Sequence, residues 1–376
     1  QKVWKMSVSA GDTPRSRELA LDIQRGFDQL TKRSSPAAMD LVQYVEFLLL
    51  SEKTEDVALL LGRLESSTGI TPQTLAFRIR LAHLKNDSDR IRELIVQSIA
   101  DEDEREVSAR IIALSEILAQ SGLKEESIQL LQAAYEKNPV HLRALVDRWM
   151  NQGDFQKGLE VCLERAKIDN SPELASLIAD SWTGRGEWDS KAETIELILE
   201  RGLMNHPSDA TLLESVGSLR LSQFRYEEAF RLLEAANRIS PDSLLTLNNL
   251  ALAASEVPGR QVFARAMIER AISKYGRMPD LVDSRGLVLL QCGAHQEARR
   301  AFDEAFGLRP DARFRLHRIQ VALADSTPME IDPLTKEIDI ASLRAMRLTP
   351  SERIDLDRVT AFLEEKSQAQ NTTVLD

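Results

Sequence analysis

Residues 210–241 read ATLLESVGSLRLSQFRYEEAFRLLEAANRISP, and the spacing of their apolar side chains decides the fold. Leu212, Leu213, Val216, Gly217 and Leu219 recur at the 3.6-residue period of one helix, and Tyr226, Ala229, Leu232, Leu233 and Ala236 at that of a second. Small residues within such stripes let two helices approach closely while larger neighbours fill the gaps.

The unit recurs in both directions. Prolines 139, 172, 207, 241 and 310 are separated by 33, 35, 34 and 69 residues, the last close to twice 34. The pairs Ala229 and Ala236, Ala264 and Ala271, Ala298 and Ala305 return after 35 and then 34 residues. Pro279 to Pro310 forms a second full copy, with Val282, Gly286, Leu289, Gly293, Ala298, Phe302 and Ala305 in corresponding places. A fixed period in this range is the mark of a repeat array rather than of ordinary domains.

These units resemble tetratricopeptide repeats, whose pattern has a small residue at the eighth, twentieth and twenty-seventh positions and proline at the thirty-second. The resemblance implies an all-α, right-handed α-solenoid of stacked antiparallel helix pairs. Other copies match less fully: Arg165 stands where alanine is expected, the unit from Pro172 carries extra residues near Gly186 to Ser190, and Val257-Pro258-Gly259 is the turn of the unit from Leu244. The expected layout is an N-terminal segment and helix over 1–35, a remnant of a preceding repeat or cap, followed by two degenerate repeats over 36–107 and about six repeats over 108–312. A capping helix over 313–326 comes next, then a loop, an amphipathic C-terminal helix and a disordered tail over 327–376, the disorder starting near Lys366. Thr13-Pro14, Ser35-Pro36, Thr71-Pro72, Ser171-Pro172 and Thr349-Pro350 each offer a hydroxyl N-cap followed by proline, the last completed by Glu352.

Composition narrows the function. A net charge of −11 argues against nucleic acid as a partner, because phosphate binding rests on clustered Lys and Arg. No apolar run approaches the roughly 20 residues that span a bilayer, so a soluble chain, cytoplasmic or periplasmic, is expected. It begins at Gln1 without Met or a recognisable signal peptide, as an excised part of a longer protein would. Phosphate-loop, dinucleotide, zinc and nucleophile-elbow motifs are absent, and the five histidines show no ligand spacing, so neither an enzyme, a cofactor nor a metal is expected. Cys162 reads as a small core residue, and Trp149 and Trp182 as core fillers at one repeat position.

Function then follows from the resemblance, in which ligands lie along the concave face lined by the first helix of each pair. The matching positions carry Glu116, Asp147, Glu173, Asp180, Glu214, Glu256, Asp280 and Asp283 against Arg143, with Ser218, Asn248 and Asn249 among them. The expected role is a protein interaction scaffold that takes a protein or peptide, basic or mixed basic-apolar, along an acidic groove. Glu116, Arg143, Asp147, Asp180, Glu214, Ser218, Asn248, Asn249 and Asp283 are the candidate partner-binding residues. A plain reading stands beside it, in which the carboxylates only solvate an exposed face. The alternative role is a substrate- or partner-presenting arm of an enzyme or assembly whose catalytic domain lies outside this chain. Leu356, Val359, Phe362 and Leu363 give the C-terminal helix an apolar face, suited either to capping the stack or to occupying a binding surface.

Overall fold

The computed structural model describes residues 37–99, 104–183, 191–324, 340–345 and 350–373, together with 21, 22, 24–27, 29 and 348. All regular structure among them is helical, and the chain divides into two compact units, Gln1–Asp154 and Phe155–Asp376. In the first unit the helices are α1 (Ala38–Leu50), α2 (Thr54–Thr68), α3 (Pro72–Leu84), α4 (Ser88–Ile99), α5 (Glu104–Gln120), α6 (Lys124–Lys137) and α7 (Leu142–Gln152). Each second helix folds back on its first, and α1, α3 and α5 pack in succession. Leu41, Tyr44, Phe47, Leu48, Leu60, Leu64 and Phe77 form one core, with Phe27 stacked on Tyr44 at 4.9 Å.

The second unit holds α8 (Phe155–Arg165), α9 (Pro172–Trp182), α10 (Ala192–Asn205), α11 (Ala210–Ser222), α12 (Tyr226–Ile239), α13 (Leu244–Glu256), α14 (Gln261–Tyr275), α15 (Pro279–Gln291) and α16 (His295–Leu308). Then come α17 (Ala312–Ala324), α18 (Ile340–Ala345) and α19 (Pro350–Thr373). The pairs α11/α12, α13/α14 and α15/α16 are hairpins, and each next first helix packs on both members of the pair before it. A β-carbon at Gly217 would come within 2.7 Å of Leu233, and one at Gly286 would collide with the fully buried Phe302. The small residue is therefore a condition of hairpin closure, which is the physical content of the repeat pattern.

Among the described residues six of the short turns share one geometry, and the turn between α13 and α14, at Val257-Pro258-Gly259, differs. In the turn after α11 the N–H of Phe224 donates to the Leu221 carbonyl and that of Arg225 to the Arg220 carbonyl, the double bond that closes a helix through a left-handed residue. Glu52, Asn86, Gly122, Gly153 and Gly293 hold the same left-handed place in the other five. N-caps are supplied by Thr71, Ser171, Asp209 and Ser243, each accepting from the backbone N–H three residues on.

Two features depart from the expectations. The helix near Ser35-Pro36 begins at Ala38, with Ala37 in the cap position and no side-chain cap. The C-terminal helix runs on to Thr373 instead of giving way near Lys366, because the residues beyond include good helix formers and neither Gly nor Pro. The caps Thr13, Ser35 and Thr349, the widened turn at 184–190 and the loop over 327–335 lie outside the described residues. Among the described residues no helix is long and apolar enough to cross a membrane.

One cluster has no counterpart in the repeat pattern. The Arg220 side chain, only 1 % exposed, donates through both terminal nitrogens to Glu196 of α10 and through Nε to Glu228 of α12. Arg225 also reaches both carboxylates, at 3.2 and 2.6 Å. Arg165, the departure from the alanine pattern, pairs with Asp169 at 3.1 Å. Beyond the last hairpin, α17 is buried on two sides: Phe314 and Val321 face α15 and α16, while Leu316 and Ile319 pack with Leu343, Leu348, Leu356 and Val359.

Candidate functional site

Within the second unit the first helices α11, α13, α15 and α17 present one face to a cavity of about 400 Å³. Residues three or four apart on a helix share a face, which is how Ser218, Leu221 and Ser222 come to line it from α11, and Asn248, Leu252 and Glu256 from α13. Asp280, Asp283, Ser284, Leu287 and Gln291 follow from α15, and Arg313, Phe314, His317 and Gln320 from α17. Phe224 and Tyr226, at the turn after α11, and Glu352, in the first turn of α19, complete the wall.

A chain of side-chain amides crosses the floor. Asn248 Nδ2 donates to Asn249 Oδ1 at 3.1 Å, Asn249 Nδ2 to Ser218 Oγ at 2.8 Å, and Ser218 Oγ to the Glu214 carbonyl at 2.8 Å. The chain uses one donor of Asn248 and leaves its acceptor open: Oδ1 is buried and accepts no hydrogen bond. Gln320 Oε1 and Arg313 Nε, on the opposite wall, are likewise buried without a hydrogen-bond partner. Arg313 Nε keeps an ion pair with Asp311 at 3.7 Å, which leaves the two amide oxygens as the unanswered buried groups, each at a cost of about 1–3 kcal/mol.

The carboxylates differ in their partners. Asp280 takes both terminal nitrogens of Arg309, at 2.6 and 3.1 Å. Asp283, 7 % exposed, holds His317 Nδ1 at 2.9 and 3.0 Å, and Glu352 lies 3.9 Å from His317 Nε2. Glu256 makes no hydrogen bond or ion pair among the described residues, and burial pushes its carboxyl above the ordinary range. It is the last residue of α13, at the negative end of that helix's dipole, which also disfavours its charge.

Four of the nine candidate residues, Ser218, Asn248, Asn249 and Asp283, thus meet at this cavity. Glu214 sits one turn before Ser218 and accepts hydroxyl hydrogen bonds from Ser243 and Thr246 across the repeat boundary. Asp180, exposed on α9, does not line the cavity. Glu116, Arg143 and Asp147 belong to the first unit and are exposed there. Arg148 and Gln120 donate to Glu116 and hold its carboxyl below the usual range. The five histidines show no ligand spacing in the sequence, yet Asp283 and His317 are 34 residues apart, the length of one repeat, a spacing that places them on neighbouring first helices.

No family model matches the sequence, and no curated protein matches it. Solved structures do. A tetratricopeptide repeat protein from Parabacteroides merdae is similar at 17% identity, covering 67% of this chain and 98% of that one, with a TM-score of 0.51. An IFIT1 monomeric mutant with m7Gppp-AAAA is similar at 10% identity over 98% of this chain and 92% of that one, TM-score 0.52. The human IFIT1 dimer with PPP-AAAA follows at 11% identity, 94% and 86% coverage, TM-score 0.51. At these identities the likeness shows the fold alone: an all-α helical-repeat fold like that of the tetratricopeptide repeat protein.

Proposed function

We propose that the chain is a non-catalytic protein-interaction module that holds an extended protein or peptide segment in the cavity of its second unit, with basic or mixed basic-apolar segments preferred. The amide chain with its open Asn248 acceptor is the observation that carries this reading. An extended backbone offers N–H donors at regular intervals, and the Asn248 amide, already held through its Nδ2 by Asn249, accepts one with little further ordering. Leu221, Leu252, Leu287 and Phe314 supply apolar surface beside it. The Asp283–His317 pair is buried and ties α15 to α17, a packing role rather than a catalytic one.

The charge of the lining supports the stated preference. Glu256, Asp280, Asp283 and Glu352 stand against Arg313 and His317. The ligands solved with IFIT1 carry phosphates by name, and a phosphate here would meet these carboxylates without the clustered Lys and Arg that such binding rests on.

Peptides selected from a random library against the full chain test the proposal by fluorescence anisotropy at low and high salt. Basic sequences should be enriched, bind more weakly at high salt, and lose about tenfold in affinity with Asn249→Ala, as loss of one to two hydrogen bonds gives. Equal affinity for acidic and basic peptides would remove the stated preference. Tighter binding of a triphosphorylated oligonucleotide, or no enriched sequence at all, would overturn the peptide reading.

A further inference from the structure

Where the first helices end, the cavity has a rim of distinct chemistry. Thr183 caps α9, and Ser222, Glu256 and Gln291 are the last residues of α11, α13 and α15; all four line the cavity. Each helix end carries a partial negative charge of about half an electron from its unpaired carbonyls. Into this rim the sequence puts a further negative group, Glu256, and gives it no partner among the described residues.

The same cavity is lined by an aromatic residue in a costly conformation. Phe224 has φ 59° and is 40 % exposed, and its ring meets that of Tyr226 edge-on at 6.1 Å. The same turn position is glycine at 122, 153 and 293, asparagine at 86 and glutamate at 52, none of them as bulky as phenylalanine. A bulky side chain there is strained by about 1–2 kcal/mol. Strain of this kind concentrates where a side chain is needed for contact rather than for folding. Aromatic faces attract cations.

We infer that this rim, formed by Glu256, Phe224 and Tyr226, is a site for an organic cation: the ammonium or guanidinium of a basic side chain on the bound segment. The inference rests on the peptide reading for the origin of that cation, and on the rim alone for its chemistry. It makes Glu256 and Phe224 specificity residues, while Asn248 and Asn249 hold the backbone.

The two are separated by probing the rim without a peptide. In the full chain labelled with ¹³C-glutamate, the Glu256 carboxyl resonance is assigned by its loss in Glu256→Gln, then followed while N-acetyl-lysine methylamide, its arginine and norleucine counterparts, and spermidine are added. The basic compounds should shift it saturably and norleucine should not. Phe224→Asn should weaken the response about 2- to 5-fold, the size of an exposed cation–π contact. Asn249→Ala should leave the response intact while weakening peptides, so that failure of the backbone contacts and failure of the cation site are told apart. Tighter binding of spermidine than of the lysine compound would uphold the rim site and assign its cation to a free amine. A resonance that no cation moves, or that norleucine moves equally, would overturn the inference.

Discussion

The first unit has a groove of its own, about 290 Å³, between α2, α3 and α4, and the contrast with the cavity of the second unit is chemical rather than volumetric. The groove is rich in charge, but Arg78 is held by both oxygens of Glu65 at 2.5 Å, Lys85 meets Glu55 and Arg90 meets Glu93. Burial of Arg78 is more than offset by that pair, and its guanidinium is held even more firmly protonated than usual. In the cavity, by contrast, Glu256, Asn248 Oδ1, Gln320 Oε1 and Arg313 Nε lack a hydrogen bond. The polar groups of the first concavity answer one another, while those of the second are left open, which is the difference on which the proposed peptide site rests.

The contrast breaks most visibly at Arg220. Removing one partner from a buried ion cluster strands the others, so Arg220→Ala should cost about 3–5 kcal/mol in urea unfolding. Arg78→Ala, whose pair is partly exposed, should cost about 1 kcal/mol. If the two losses were equal, burial would not be what distinguishes the pairs.

Peptide affinity sharpens the same comparison: Asn249→Ala should lower it about tenfold, and Arg78→Ala should leave it unchanged in the anisotropy assay.

Glu116 and Glu256 should respond to pH with opposite sign. The folded carboxyl of Glu256 is raised above 4.5, so the stability it contributes is present below that value and is lost as pH climbs through the folded value. Glu256→Gln should therefore raise the Tm at pH 7 and change nothing in acid well below pH 4.5. The folded carboxyl of Glu116 is lowered from 4.5, so its contribution is present above that value and disappears as pH falls through the folded one. Glu116→Gln should lower the Tm slightly at pH 7, the exposed pair being worth under about 1 kcal/mol. Calorimetric scans from pH 3 to 8 would show both trends, and shifts of the same sign would refute the contrast. Smallest of all, Phe224→Asn should stabilise the chain by about 0.5 kcal/mol, since Asn tolerates the left-handed turn. A lower Tm would mean that the ring holds the fold.

Local packing made the repeat legible: Gly217 and Gly286 recur because a larger side chain would strike Leu233 and Phe302, and such collisions leave a period in sequence. Asn248, Asn249 and Ser218 were legible because one helix face repeats with the same period. The Arg220 cluster was not, since Glu196 and Glu228 stand 24 and 8 residues away and follow no period. Glu352 was not, because it reaches the cavity from outside the repeats. Nor does residue type announce a left-handed Phe224. The periodic parts of the site were visible and the singular ones were hidden, although the singular ones separate one repeat protein from another.

An array of hairpins has no internal reason to stop, since each pair ends in the kind of apolar face on which the next would sit. Through Leu316 and Ile319, α17 would offer such a growth front, and Leu343, Leu348, Leu356 and Val359 of the following segment occupy it. A face that repeats along one chain also fits, head to tail, a neighbouring copy of the same chain, and contacts of that sort propagate into open filaments. By filling that face from its own sequence, the chain closes this end of its array to such a contact.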